Sequence, residues 1–367
     1  MKEDKSDRVF RFGSSLYPNM IKSIRNAEEE VLFEYYIVRW DRAGKKFIKE
    51  LKRAADRGVD VKIIIDGFGS WKFPERVKNY LRNSGVQLIH YNPVKLYKGI
   101  WKWVLRDHRK IMIIDGKTAY IGGMNIDKKH LEPEDQPETP RKEVIKDTHI
   151  KVNDSAAKKI RNKFIESWNV MQKEEELQKK EIDEETSDTV VKGGNIKTED
   201  SILKEYSKRI KDAEDSIKLT QSYFVPQKIV RKQLYSAVER GVDVKLIVPE
   251  YFSEVRIARH ATKNLYEELL KNGIDIYEYR DTFIHSKTAV FDSEWATVGS
   301  LNLDFQGVLT NLEINLFTRK KETVEKLDRE FESDLENSVR ITEEDVKNRF
   351  WVEKGLNKLF YAFRALY

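Results

Sequence analysis

Apolar and polar positions along this chain follow two rhythms in turn. Residues 14–30 place Leu16, Met20, Ile24 and Ala27 at helical spacing, and the run Val31-Leu32-Phe33-Glu34-Tyr35-Tyr36-Ile37-Val38 that follows is β-branched and aromatic, which predicts a strand. A second helix is expected over about residues 44–57, ending at Gly58 as a C-cap. Val59-Asp60-Val61-Lys62-Ile63-Ile64-Ile65-Asp66 then reads as a buried strand. A helix near 74–83, Gly85 and a short strand over 86–90 continue the order. Such β-α-β alternation predicts an α/β fold.

The second half repeats the first. Ile210-Lys211-Asp212-Ala213-Glu214 echoes Ile24-Arg25-Asn26-Ala27-Glu28, Arg240-Gly241-Val242-Asp243-Val244-Lys245 repeats Arg57-Gly58-Val59-Asp60-Val61-Lys62 letter for letter, and Asn272-Gly273-Ile274 echoes Ser84-Gly85-Val86. The offsets of 186, 183 and 188 residues are nearly constant, which means a duplicated unit. Two similar halves are therefore expected, over 1–171 and 198–340. The charged stretch 172–197 has no apolar periodicity and reads as a solvent-exposed linker, helical at its start. A charged helix is expected over 322–337. Residues 341–367 form a C-terminal segment in which Trp351, Val352, Leu356, Leu359, Phe360, Phe363 and Leu366 recur at helical spacing.

Composition narrows the chemistry. The 367 residues hold no Cys, so thiolate nucleophiles, thiolate metal sites and disulfides are excluded. Lys and Arg number 68 against 62 Asp and Glu, a net charge of +6 that fits a locally basic face for phosphates or anionic lipid better than a general nucleic-acid coat. No apolar run approaches the roughly 18 residues of a membrane span, and the charged N-terminus has no signal-peptide core. A cytoplasmic protein that meets the membrane from its surface is the expectation.

One short pattern occurs twice within the repeat. His108, Lys110, Asp115, Gly122-Gly123 and Asn125 recur at identical spacing as His285, Lys287, Asp292, Gly299-Ser300 and Asn302. On a strand, residues two apart share a face, so each His and its Lys look into one site together. A neutral imidazole can attack phosphorus or pass a proton, Lys can hold a phosphate oxygen, and Asn adds an amide donor. One copy makes half a phosphate cradle; two place an imidazole on either side of a phosphodiester. A metal is not expected there, because the adjacent Lys would oppose a cation. His90, His130, His149 and His260 lack the paired context and read as surface or strand residues.

This duplicated HxK(x)4D pattern resembles the phospholipase D superfamily. The longer stretches Asp107-His108-Arg109-Lys110, Gly122-Gly123-Met124-Asn125, Ile284-His285-Ser286-Lys287 and Val298-Gly299-Ser300-Leu301-Asn302, with Asn311-Leu312-Glu313, are most similar to bacterial cardiolipin synthases of the short type without transmembrane helices. The resemblance implies two mixed sheets flanked by helices around one shared active site, working without a cofactor. It also implies a phosphatidyl transferase that joins two phosphatidylglycerols, with His108 as nucleophile and His285 as acid and then base. Lys110, Lys287, Asn125 and Asn302 would hold the phosphate, while Asp147 and Glu313 would orient the imidazoles. Asp115 and Asp292 belong to the motif's catalytic set by resemblance, yet their odd spacing turns them to the other strand face, so support of structure is expected of them. A phospholipase D that uses water, or a nuclease, would employ the same residues. Against a nuclease stands the aromatic and basic run over 95–106, which suits a headgroup boundary better than a polynucleotide groove, so no nucleic-acid partner is expected.

Overall fold

A computed structural model describes residues 6–93, 105–172, 188–193, 202–251 and 256–348. The aromatic and basic run over 95–104 and the helix expected over 351–367 lie outside the described residues.

The strands of the first half are β1 (Arg8–Phe10), β2 (Glu30–Tyr35), β3 (Asp60–Asp66), β4 (Gln87–Tyr91), β5 (Lys110–Ile114), β6 (Thr118–Gly122), β7 (Ile145–Lys146) and β8 (His149–Asn153). After them come β9 (Thr189–Gly193), β10 (Ser216–Gln221), β11 (Asp243–Pro249), β12 (Asp275–Tyr279), β13 (Phe283–Ile284), β14 (Lys287–Phe291), β15 (Trp295–Gly299), β16 (Glu313–Thr318) and β17 (Ser338–Ile341). One sheet runs β1-β8-β6-β5-β2-β3-β4, the other β17-β12-β11-β10-β14-β15-β16-β9. Within them β8-β6-β5-β2-β3-β4 and β16-β15-β14-β10-β11-β12 are the same order. The duplication read in sequence is thus a duplication of topology, with two mixed sheets in an α/β fold.

Each half covers one sheet face with its own helices. In the first these are α1 (Gly13–Asn26), α2 (Arg42–Asp56) and α3 (Glu75–Arg82), whose Leu16, Met20, Ile24, Phe47, Leu51 and Leu81 pack on Val31, Phe33 and Ile63. The α2 helix starts where the Asp41 carboxylate accepts the Ala43 and Gly44 N–H groups, and it stops before Gly58, whose φ of 93° few other residues adopt. The other sheet face buries Leu32, Ile111, Ile113, Ile121 and Ile150 in a cluster shared with Val298, Ile314 and Leu316 of the second sheet. Helix α4 (Asp154–Met171) completes that cluster through Ile160, Phe164 and Trp168. Strand β2 is therefore buried on both faces, which explains a run with no polar alternation. Among the described residues no helix is long and apolar enough to cross a membrane.

Residues 188–193, described within the stretch 172–197, differ from their reading as part of an exposed linker. There β9 pairs antiparallel with β16 at the edge of the second sheet, burying Val190 and Val191. Two adjacent valines are too short a run to display a period. The charged helix expected over 322–337 is Lys321–Glu336.

Candidate active site

Both motifs lie at one end of their sheets. Lys110 is the first residue of β5 and pairs with Tyr35 at the end of β2; Lys287 is the first of β14 and pairs with Gln221 at the end of β10. The site thus sits beyond the carboxyl ends of the central parallel strands, the usual place for ligands in an open α/β sheet.

What brings the halves together is backbone pairing between them. Strand β13 pairs in parallel with β7, and the His285 N–H donates to the Lys146 carbonyl at 2.7 Å, one residue before Asp147. On the other side Asp107 bridges Leu312, and the His108 N–H donates to the Leu312 carbonyl at 3.0 Å, one residue before Glu313. Each imidazole therefore meets the carboxylate of the opposite half. His108 Nδ1 lies 2.9 and 3.1 Å from the two Glu313 oxygens, and His285 Nδ1 lies 2.7 Å from Asp147 Oδ2. With Nδ1–H donating to a carboxylate, Nε2 of either ring is left to the substrate side.

The lysines complete the cradle. Lys110 Nζ donates to the His108 carbonyl and Lys287 Nζ to the His285 carbonyl. Lys287 also donates to Ser222 Oγ at 3.0 Å, and that hydroxyl donates to Asn302 Oδ1 at 2.9 Å. Its Nζ lies 2.9 Å from His285 Nδ1 as well, but that nitrogen gives its proton to Asp147, so Lys287 acts there as a charge. Asn125 Oδ1 accepts the Ile37 N–H at 3.2 Å. With both carboxamide oxygens occupied, the NH₂ groups of Asn125 and Asn302 are what remains to donate to an anion. The glycine that ends each strand is required by space: a Cβ on Gly122 would stand 2.3 Å from the Thr148 carbonyl oxygen and one on Gly299 2.2 Å from Asn315 Oδ1, and in the first copy a Cβ on Gly123 would stand 2.2 Å from Asp147 Oδ1.

Burial dominates the electrostatics. It holds both imidazoles well below the usual histidine range, helped in His108 by Lys110 and Lys287 and in His285 by Lys287, Lys110 and His108. Both rings are therefore neutral near pH 7. Desolvation also pushes Lys110 down to about 7, opposed chiefly by the Glu313 charge, and it raises Glu313 and Asp147, opposed in turn by the lysine charges. An anion entering between the two lysines would relieve that cost for both cations and lift the imidazoles as well.

Asp115 and Asp292 stand elsewhere, which corrects their place in a catalytic set. They follow β5 and β14 at the far end of the sheets, roughly 16 Å of strand away from the site. Asp115 accepts the N–H groups of Glu28, Glu29 and Glu30, and Asp292 those of Glu214, Asp215 and Ser216. Both residues have positive φ, 53° and 52°, a conformation in which Asp is tolerated. Each pins the start of its central strand, β2 or β10, to the hairpin. Asp115→Ala is expected to cost about 1–3 kcal/mol in urea unfolding while leaving kcat of the folded enzyme within about twofold, since a site at the other sheet end is untouched. Loss of kcat without loss of stability would return Asp115 to the chemistry.

Several residues near the site were not singled out by sequence reasoning. The Tyr36 ring stands edge-on to His108 at 4.8 Å between centroids, and Tyr223 stands likewise to His285 at 6.1 Å. The offset 223 − 36 = 187 matches the repeat, so the paired tyrosines carried a signal. His130 corrects its surface-or-strand reading: it is buried in a 3₁₀ turn, and its Nε2 accepts the Asn125 N–H at 3.3 Å. No sequence signal marked it, because the repeat puts Gly307 in its place. His149 is a buried residue of β8 and His90 lies on β4.

Comparison with known proteins bears on this geometry. Residues 20–168 and 206–335 match the family described as cardiolipin synthase, PLD-like domain. The cardiolipin synthase of Alkalihalophilus pseudofirmus is 32% identical over 349 residues, spanning 93% of this chain and 68% of its own. That of Staphylococcus aureus is 29% identical over 369 residues, spanning 97% and 73%. In fold, the phosphatidylserine synthase of Haemophilus influenzae superposes with a TM-score of 0.75 at 13% identity, covering 99% of this chain and 94% of that one. The polyphosphate kinase of Porphyromonas gingivalis superposes with a TM-score of 0.64 at 14% identity, covering 99% and 54%.

Proposed function

Because the chain belongs to the cardiolipin synthase, PLD-like domain family, we propose that it moves a phosphatidyl group from one phosphatidylglycerol to another, forming cardiolipin and releasing glycerol. The observation that carries this reading is the crosswise pairing of two neutral imidazoles with carboxylates, His108 with Glu313 and His285 with Asp147, beside two buried lysines.

The chemistry follows from those groups. His108 Nε2 attacks phosphorus, forming the N–P bond as the bond from phosphorus to the glycerol oxygen breaks; His285 gives that oxygen its proton, and glycerol leaves. The two lysines and the asparagine NH₂ groups hold the non-bridging oxygens, where charge is concentrated in the transition state. The terminal hydroxyl of a second phosphatidylglycerol then gives its proton to His285 and attacks phosphorus, and the N–P bond breaks. Substrate binding assists the first step, since a phosphodiester anion favours the protonated form of His285 that the empty site disfavours. Burial also limits water as a competing acceptor.

Purified protein incubated with radiolabelled phosphatidylglycerol in vesicles is expected to yield cardiolipin and glycerol in equal amounts. Phosphatidic acid as the main product would make the acceptor water. Vesicle binding with neither product would overturn the substrate assignment.

A further inference from the structure

Two large apolar side chains project from the loop between β3 and α3. Phe68 is 52% and Trp71 63% exposed, and Leu105, which leads into His108, is 45% exposed. Lys72 stands over the Trp71 ring at 4.9 Å, while Arg106, buried and 3.8 Å from the Asp66 carboxylate, backs the Phe68 ring at 5.5 Å. The second half offers Tyr251, 40% exposed, directly after β11 as Phe68 follows β3. All of these lie at the carboxyl ends of the central parallel strands, the end that carries the site.

The loop is held by the same residues that flank His108. The Asp66 carboxylate accepts the N–H groups of Phe68 and Gly69 at 2.8 Å through one oxygen and that of Asp107 at 3.0 Å through the other. The Ser70 hydroxyl donates to the Tyr36 carbonyl at 2.9 Å and accepts the Val38 N–H at 3.0 Å. Gly69 lies so close to Tyr36 that a Cβ would stand 2.4 Å from its carbonyl oxygen. The backbone is thus tied to Tyr36 and Asp107 while the apolar tips are left to water. Hydration makes that arrangement unfavourable unless something else covers the tips.

We propose that the 68–72 loop, with Leu105, is a docking element that seats in the headgroup region of an anionic phospholipid bilayer and sets the depth at which His108 meets a lipid phosphate. This rests on the phospholipid reading of the site. The occupant follows from the chemistry: exposed Phe68 and Trp71, with the Lys72 cation at the Trp71 ring face, match a boundary that is apolar below and anionic above, and the chain's net charge of +6 has the complementary sign. A second copy of the chain seated on this patch would bring Lys72 of one against Lys72 of the other.

The test is co-sedimentation of the full chain with extruded vesicles of phosphatidylglycerol in phosphatidylcholine, and with phosphatidylcholine alone. Phe68→Ser/Trp71→Ser should weaken binding to the anionic vesicles about 10- to 100-fold, the burial of two such side chains being at stake. Its thermal midpoint should stay at the wild-type value, as should its turnover of short-chain phosphatidylglycerol dispersed in detergent. Vesicle binding equal to wild type overturns the proposal, as does wild-type binding to phosphatidylcholine vesicles as tight as to the anionic ones. Loss of binding in a protein whose wild type makes no cardiolipin supports the docking surface and removes only the transfer reaction.

Discussion

His108→Ala and His285→Ala should each lower cardiolipin formation by at least about 10⁴-fold, the scale set by removing a nucleophile or its proton-transfer partner from a constellation that acts as a unit. Equal losses would not separate the roles, but a substrate with an acidic leaving group does. A phosphatidyl ester of nitrophenol needs no proton to release its alcohol, so His285→Ala should still form the N–P bond and release one equivalent of nitrophenol. It should then stall, because no base activates the acceptor. The acyl label ought to remain on the protein through an alkaline denaturing gel, as expected for an acid-labile phosphoramidate. His108→Ala should show neither burst nor label. A labelled His108→Ala protein would reverse the two roles, and no label in wild type or either variant would sink the covalent route.

That the two motifs would meet was legible in sequence because the repeat marks them twice; how their residues pair was not. Asp147 and Glu313 could be picked out by place, but which imidazole each serves depends on β7 meeting β13 and on Asp107 meeting Leu312. These contacts join residues 138 and 205 positions apart, and no local propensity records them. The same limit explains β9, whose two valines acquire a partner only when β16 is in place. It explains His130 too, since burial beside Asn125 is a property of the 3₁₀ turn and has no counterpart in the second copy. By contrast the β2 and β3 strands and helices α1 to α3 fell within a few residues of their predicted bounds, because each buries a continuous apolar face and carries its own stop signal. Asp115 shows the opposite case: a residue fixed in the motif by geometry of the fold, where three strand N–H groups need an acceptor.

The crosswise pairing makes a prediction that runs against sequence neighbourhood. If each carboxylate serves the imidazole it touches, Glu313→Gln belongs functionally with His108 in the other half, and Asp147→Asn with His285. Either change keeps the side chain's shape while removing the charge that fixes Nδ1–H and stabilises the imidazolium, and each should cost on the order of 10²- to 10⁴-fold in kcat. Glu313→Gln should slow the nitrophenol burst itself; Asp147→Asn should leave the burst intact and slow the later transfer to the acceptor. Double variants would expose the pairs: Glu313→Gln added to His108→Ala should cost little more than His108→Ala alone, whereas Glu313→Gln added to Asp147→Asn should cost more than either. A pH profile separates this from mere loss of packing. Lys110, pushed down to about 7 by burial, is held up chiefly by Glu313 and less by Asp147. Because Lys110 is cationic below its pKa and neutral above it, kcat/KM should fall as pH rises through about 7, and that limb should move to lower pH in Glu313→Gln and move less in Asp147→Asn. If both carboxylates instead group with the imidazole of their own half, the halves act separately and the shared site is wrong.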